Sequence, residues 1–192
     1  MPGPLFCELF PGPAAPARAV CGGDPAALLA IRRPSVMLAA WTRPSPWTRH
    51  LPGALFRAVT EAVEPGEAAA ALGLPLPAAL AEDIAALALL FRTVAQAPRL
   101  RLRLEALEHD ACRRFHVDAV GLRMLCTYAG RGTQWRLGGP EDDAPHHEAS
   151  PGDVLILKGA RRGGAGLVHR SPPVSGLERG RRRLVLCLDE AG

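Results

Sequence analysis

The period of the hydrophobic pattern changes at Pro98, and this constrains the fold more than any other feature of the chain. Upstream, Leu80, Ile84, Leu87, Phe91 and Val94 recur at three- and four-residue spacing. That predicts a helix over 78–97 with one buried apolar stripe, stopped by Pro98. Downstream, Arg99-Leu100-Arg101-Leu102-Arg103-Leu104-Glu105-Ala106-Leu107 alternates charged and apolar residues. This is the period of a half-exposed strand with its leucines inward. Core packing accounts for the helical stripe, and nothing in it suggests a cofactor box.

Beyond this strand the chain reads as short strands over 113–118, 122–129, 133–137, 153–158, 166–170 and 182–188. Turn signals separate them: Gly130-Arg131-Gly132, Gly138-Gly139-Pro140, Pro151-Gly152-Asp153 and Gly163-Gly164. Residues 141–150 are polar and predict a surface loop. In the N-terminal half, Asp24 is placed as an N-cap with Pro25 at the first helical position, opening a short helix to about Ile31. The apolar run 36–41, between Pro34 and Pro44, predicts a buried strand, and Leu55, Val59 and Ala62 predict a helix between about 52 and 63. Residues 1–23, rich in Pro, Gly and Ala, predict a flexible N-terminal arm. The expected fold class is α+β: a single domain over 24–192, with a mostly helical layer over 24–98 packed on a β-barrel over 99–189. A double-stranded β-helix of the jelly-roll or cupin-like kind satisfies this order. No internal repeat is present.

At 192 residues, 48% of them hydrophobic, the chain can bury a sizeable core. The net charge of +4 comes from scattered basic residues and aromatics make up 5%, a poor basis for phosphate tracking and base stacking, so nucleic acid is not expected as a partner. The five cysteines are widely spaced with no CxxC pair, which suits reduced thiols better than a disulfide framework. No secretory signal pattern opens the chain, and its most apolar stretch, 68–90, is interrupted by Pro75, Pro77, Glu82 and Asp83. No membrane partner and a cytoplasmic location are expected.

The chemistry centres on Cys112-Arg113-Arg114-Phe115-His116-Val117-Asp118. As a strand it puts His116 and Asp118 on one face. Taken singly, each has a plainer role, as a hydrogen-bonded strand histidine and a strand-end carboxylate, and His-x-Asp alone recurs by chance. With His169 of Leu167-Val168-His169-Arg170-Ser171-Pro172-Pro173 as a third donor, the set is two imidazoles and a carboxylate, the facial triad of non-haem Fe(II).

The order of motifs over about 100–189 resembles the iron and 2-oxoglutarate-dependent oxygenases, particularly the prolyl hydroxylase-like branch. The matching phrases are Phe115-His116-Val117-Asp118, Arg123-Met124-Leu125-Cys126-Thr127-Tyr128, Gly132-Thr133-Gln134-Trp135, Gly152-Asp153-Val154-Leu155-Ile156-Leu157-Lys158-Gly159, Leu167-Val168-His169 and Arg183-Leu184-Val185-Leu186-Cys187-Leu188. From about Asp24 onward the chain also resembles a bacterial family known only as a domain of unknown function. It does so through Cys112-Arg113-Arg114-Phe115-His116-Val117-Asp118, Cys126-Thr127-Tyr128, Gly132-Thr133-Gln134-Trp135, Leu157-Lys158-Gly159 and His169-Arg170-Ser171-Pro172-Pro173. Some members of that family are associated with zinc-responsive gene neighbourhoods.

The oxygenase resemblance implies Fe(II) held by His116, Asp118 and His169, 2-oxoglutarate as co-substrate, and hydroxylation of an unknown substrate. It also implies a basic residue for the far carboxylate of the keto acid, which Arg suits through its planar fork. Arg183 opens the last strand as the oxygenase arginine does. Arg182 and Arg181 adjoin it, and a register shift of one residue exchanges their facing. Tyr128 or Thr127 is expected to add a hydrogen bond to that carboxylate. By alternation Arg170 faces away from His169, Phe115 and Trp135 are expected in the barrel core, and Lys158 is either a surface residue or a cation in the barrel mouth. A second reading, His109-x-x-Cys112-x-x-x-His116, mixes thiolate and imidazole and favours Zn(II). It describes a non-catalytic, cupin-like metal-binding protein linked to metal homeostasis. His146 and His147 are expected in solvent.

Overall fold

The computed structural model of the chain describes residues 16–49, 56–108, 112–139, 145–164, 166–173 and 183–191. A seven-stranded major sheet and a three-stranded minor sheet dominate an α+β fold with few helices. In chain order the strands are β1 (Arg18–Gly22), β2 (Val36–Trp41), β3 (Phe56–Val63), β4 (Leu100–Leu107), β5 (Leu122–Ala129), β6 (Gln134–Leu137), β7 (His147–Glu148), β8 (Val154–Lys158), β9 (Leu167–Arg170) and β10 (Arg183–Glu190). The helices are a short α1 (Ala68–Ala71) and the eighteen-residue α2 (Ala78–Ala95). The major sheet runs β1-β2-β8-β5-β10-β4-β3 and the minor sheet β7-β6-β9. Pairing is antiparallel except between β1 and β2.

α2 forms where the 3.6 period predicts it. Leu80, Ile84, Leu87, Phe91 and Val94 are all buried, and the helix ends at Gln96 in the left-handed region, two residues before Pro98. Its stripe packs on one face of the major sheet, against Leu100, Leu102 and Leu104 of β4, Leu184, Leu186 and Leu188 of β10, and Met124 and Tyr128 of β5. The alternating positions of the same strands point the other way. Between the two sheets a second apolar cluster joins Leu38, Leu125, Leu155, Leu157 and Cys187 to Trp135 and Leu167 of the minor sheet. Gly152, at φ +98°, makes the turn into β8, and a Cβ there would lie 2.3 Å from the Ser45 nitrogen.

Several expectations are corrected. The region expected as a helix between 52 and 63 is β3 over its described part. Val59 is 40% exposed, so its spacing marks no buried stripe, and the open edge of β4 pairs with this segment instead. Leu55 lies outside the described residues. The expected flexible arm, 1–23, ends in β1, which pairs with β2 from Arg18 to Gly22, while residues 1–15 lie outside the described residues. The stretch 24–98, expected as mostly helical, supplies β2 and β3 to the major sheet. The Asp24 cap is present, with Oδ1 accepting from the Ala26 N–H at 2.7 Å, but it opens a 3-10 helix, Pro25–Arg32. In the expected surface loop 141–150, His147 and Glu148 pair with β6. Most strand limits move by a residue or two, and 122–129 stands unchanged. No helix among the described residues is long and apolar enough to cross a membrane.

Phe91 is fully buried between α2 and the sheet. Phe91→Ala is expected to cost about 3–5 kcal/mol, from lost transfer energy plus a cavity. Urea unfolding followed by circular dichroism measures this, and a loss below about 1 kcal/mol would show that the layer collapses around the gap.

Candidate metal centre

The segment expected as strand 113–118 pairs at one residue only. His116 exchanges two backbone hydrogen bonds with His169 of β9, N–H to carbonyl at 3.1 and 3.0 Å in the two directions. This bridge, not a regular strand, sets the imidazoles side by side, with ring centroids 4.6 Å apart. Asp118, two residues on, reaches both rings. Its Oδ1 lies 3.4 Å from His116 Nε2, and its Oδ2 lies 3.0 Å from His169 Nε2. Each of the three residues offers a ligand atom within 4.8 Å of the other two.

The chemistry of the donors fits a divalent ion. Adjacent donors on an octahedral ion at about 2.1 Å sit roughly 3.0 Å apart, close to both observed separations. His116 Nδ1 lies 2.9 Å from the Arg114 carbonyl, which can only accept. In the neutral ring the proton therefore sits on Nδ1, and the Nε2 lone pair faces the site. His169 is 5% exposed and its Nδ1 has no hydrogen-bond partner, so its polar contact in the site runs through Nε2. Burial by itself would raise the Asp118 carboxyl, but the two imidazoles and the Arg123 guanidinium hold it well below the usual carboxylate range. Asp118 pulls His116 up, whereas burial pulls His169 down.

A cavity of about 230 Å³ opens beside the triad, between the two sheets. Its major-sheet wall carries Arg103 and Glu105 of β4, Arg123 and Leu125 of β5, and Arg183 and Val185 of β10. His116, His169, Cys112, Thr133 and Arg170 line the other side. Arg183 is 7% exposed, donating from Nε to the Arg131 carbonyl at 2.7 Å and from Nη2 to Thr127 Oγ1 at 3.5 Å. Burial pushes its guanidinium down to about 10. Arg123 is the hub of a carboxylate pair. Its Nη1 lies 2.6 Å from Asp118 Oδ2, and its Nε and Nη2 each lie 2.7 Å from Asp189.

His116, Asp118, His169, Arg183 and Thr127 are thus brought together. Tyr128 is not. It faces α2, where its hydroxyl donates to Asp83 at 2.8 Å and Arg43 pairs with the same carboxylate through two nitrogens. Parity explains the difference: Arg123, Leu125 and Thr127 share one face of β5, and Met124, Cys126 and Tyr128 the other. Arg182, Arg181 and His109 lie outside the described residues. Lys158 does not enter the cavity; its ammonium donates to the Arg33 and Pro34 carbonyls at 2.8 and 3.1 Å. Arg170 stacks 4.2 Å from the centre of the Phe115 ring and donates to Gln134, away from the His169 ring though at the cavity rim. Phe115 and Trp135 are buried, and His146 and His147 are exposed with rings against them. Sequence reasoning singles out neither Arg123 nor Asp189, nor Arg103 and Glu105 as cavity residues. Their signal is parity: each shares a sheet face with Thr127 or Arg183.

Tyr128 and Asp83 therefore belong to the fold. Asp83→Ala leaves the Arg43 guanidinium, 13% exposed, without its carboxylate and is expected to destabilise by about 3–5 kcal/mol. Tyr128→Phe is expected to cost about 1.5–3 kcal/mol. Urea midpoints measure both. A midpoint unchanged in Tyr128→Phe would show that this hydroxyl does not hold the fold.

The structure is similar to the crystal structure of a dioxygenase for auxin oxidation from rice, at 12% identity and a TM-score of 0.52, over 92% of this chain and 83% of that one. A Pseudomonas putida prolyl-4-hydroxylase aligns over 85% of this chain and 96% of its own, at 13% identity and a TM-score of 0.47. Dioxygenase for auxin oxidation 1 from Arabidopsis thaliana, solved as a 2-oxoglutarate binary complex, aligns over 76% and 67%, at 11% identity and a TM-score of 0.43. At such identities the rice likeness bears on the fold alone. No curated protein matches the chain. Residues 22–189 match one family throughout, so the chain belongs to the family described as protein of unknown function (DUF1826).

Proposed function

We propose that this protein is an Fe(II)/2-oxoglutarate-dependent dioxygenase, with the major and minor sheets as the two faces of a double-stranded β-helix. One observation carries the reading. A two-histidine, one-carboxylate donor set shares a cavity with a buried guanidinium, Arg183, that has no carboxylate within ion-pair distance among the described residues. A buried, unpaired cation is costly unless a ligand supplies the anion. Glu105 and Glu148 act on Arg183 only at longer range.

His116, Asp118 and His169 would hold iron from one side. Arg183, with Thr127 Oγ1 beside it, would receive the far carboxylate of 2-oxoglutarate, fixing the length of acid the cavity accepts. Leu125 and Val185 would keep water from the acid's carbon chain. Bound iron would supply the coupling of O2 reduction to oxidative decarboxylation of the keto acid, giving succinate, CO2 and one oxygen atom inserted into a substrate C–H bond.

The test begins with the metal content of protein purified without a histidine tag, followed by anaerobic addition of Fe(II) and 2-oxoglutarate. A weak visible charge-transfer band on adding both is the expected result. Stoichiometric zinc with no such band would replace the oxygenase by a zinc-binding protein. Asp118→Ala is expected to abolish Fe(II) binding and leave the chain folded, because Arg123 keeps both contacts to Asp189. Unfolding of this variant where wild type is folded would make Asp118 a structural residue.

Arg183→Ala is expected to retain Fe(II) and lose 2-oxoglutarate. Truncating one partner of a buried charge-assisted pair costs about 2–5 kcal/mol. At about 1.4 kcal/mol per decade this is roughly thirtyfold to several thousandfold in Kd. Arg183→Lys should recover only part, since a point charge cannot reproduce the fork. Titration of 2-oxoglutarate into the anaerobic Fe(II) protein measures this, and equal affinity in wild type and Arg183→Ala would remove Arg183 from the site.

A further inference from the structure

We infer that Arg123 is the positioning residue of the metal centre: its guanidinium, held by Asp189, sets the angle at which the Asp118 carboxylate faces His116 and His169. The inference rests on the metal-binding reading of the triad. Asp118 belongs to no regular strand; its carbonyl accepts from the Ala160 N–H at 2.8 Å, which ties down the main chain but does not fix the carboxylate. Arg123 does, with Nη1 2.6 Å from Oδ2. Arg123 is itself fixed. It stands directly opposite Asp189 in the β5–β10 pairing, and Nε and Nη2 form a two-point fork with both oxygens of Asp189 at 2.7 Å. Arg123 and Asp189 side chains are 11% and 6% exposed, so little water competes for these contacts.

The consequence is an orientation. Oδ1 lies 3.4 Å from His116 Nε2 and Oδ2 lies 3.0 Å from His169 Nε2, and Oδ2 is buried with no hydrogen-bond partner among the described residues. A carboxylate free to rotate would lose one or both of these separations. The charge contact from Arg123 holds it where both oxygens face the imidazoles. The same contact places a positive charge beside the ligand set, so the site trades some electrostatic attraction for a defined geometry. A bare inter-strand ion pair would need only Asp189. The third nitrogen, turned to Asp118, is what ties the pair to the metal centre.

The test uses Co(II) on the 192-residue chain, because its visible spectrum reports ligand number and geometry. The variant is Arg123→Gln/Asp189→Asn, which removes the guanidinium without leaving Asp189 as a buried, unpaired charge. Co(II) is expected to bind about 10–100-fold more weakly, as for other outer-shell partners of metal ligands. Its visible bands should shift as the carboxylate loses its fixed angle to the two imidazoles. A folded variant with wild-type affinity and an unchanged spectrum overturns the inference. If the double variant does not fold, Asp189→Asn alone decides. This substitution loosens the fork while keeping Arg123, so weaker Co(II) binding with shifted bands supports the inference, and wild-type behaviour overturns it. The two claims fail separately. Wild-type protein that takes Co(II) yet gives no Fe(II) band with 2-oxoglutarate sinks the oxygenase reading, and unchanged Co(II) behaviour in the variants sinks this one. Wild-type protein that takes no Co(II) sinks both.

Discussion

Leu102 and Leu104 of β4 pack on α2, while Arg103 and Glu105, on the opposite face, turn into the cavity. The same two-residue alternation runs through β5 and β10, so one sheet serves two unlike environments. Burial of the leucine face against Phe91, Leu87 and Ile84 supplies the hydrophobic energy and fixes the facing of every residue between. A slip of one residue in β4, β5 or β10 would send arginine into the helix interface. The cavity's charge is thus locked in register by an apolar layer on the far side of the sheet.

That lock matters because the cavity wall holds several cations at low exposure. A buried guanidinium is costly unless paired, and most of these have partners. Arg123 has Asp118 and Asp189, and Arg103 has Glu105 at 2.8 Å. Arg170 lies against Phe115 and donates to Gln134. Arg183 stands apart, with a carbonyl and a hydroxyl as its polar contacts among the described residues and burial depressing its guanidinium to about 10. Among the described residues no carboxylate lies within ion-pair distance of Arg183, which is the physical content of reading this wall as a seat for an anion.

How much of this was legible in the chain varies with the physics involved. The helix over Ala78–Ala95 and the strand Leu100–Leu107 are written in strong periods, and the structure follows them. His116, Asp118 and His169 were legible as a set, although the route differs: a single backbone bridge, not a continuous strand, brings them together. The helix expected near 52–63 failed because a short three-and-four spacing carries little weight against an unpaired edge of β4. Tyr128 was placed on the wrong side because motif order says which strand a residue is on and parity says which face. Arg123 was overlooked for a similar reason. Its importance lies in cross-strand register with Asp189, and register between segments so far apart is set by the tertiary core.

The triad therefore joins an irregular segment to the most regular part of the molecule. His169 sits on β9, buried, and its backbone pairs with both Trp135 of β6 and His116. Asp118 follows from a stretch with no ladder of its own, and a side chain there would wander among rotamers at room temperature. What opposes this is imported. Asp189 stands in β10, flanked by β4 and β5, and passes its position through Arg123 to the Asp118 carboxylate. A chemical group must be held within a fraction of an ångström to act repeatedly, and rigid strands do that better than loops. The loop still has a use. It lets His116 and Asp118 approach from outside the sheets, leaving the sheet faces free to line the cavity beside the triad.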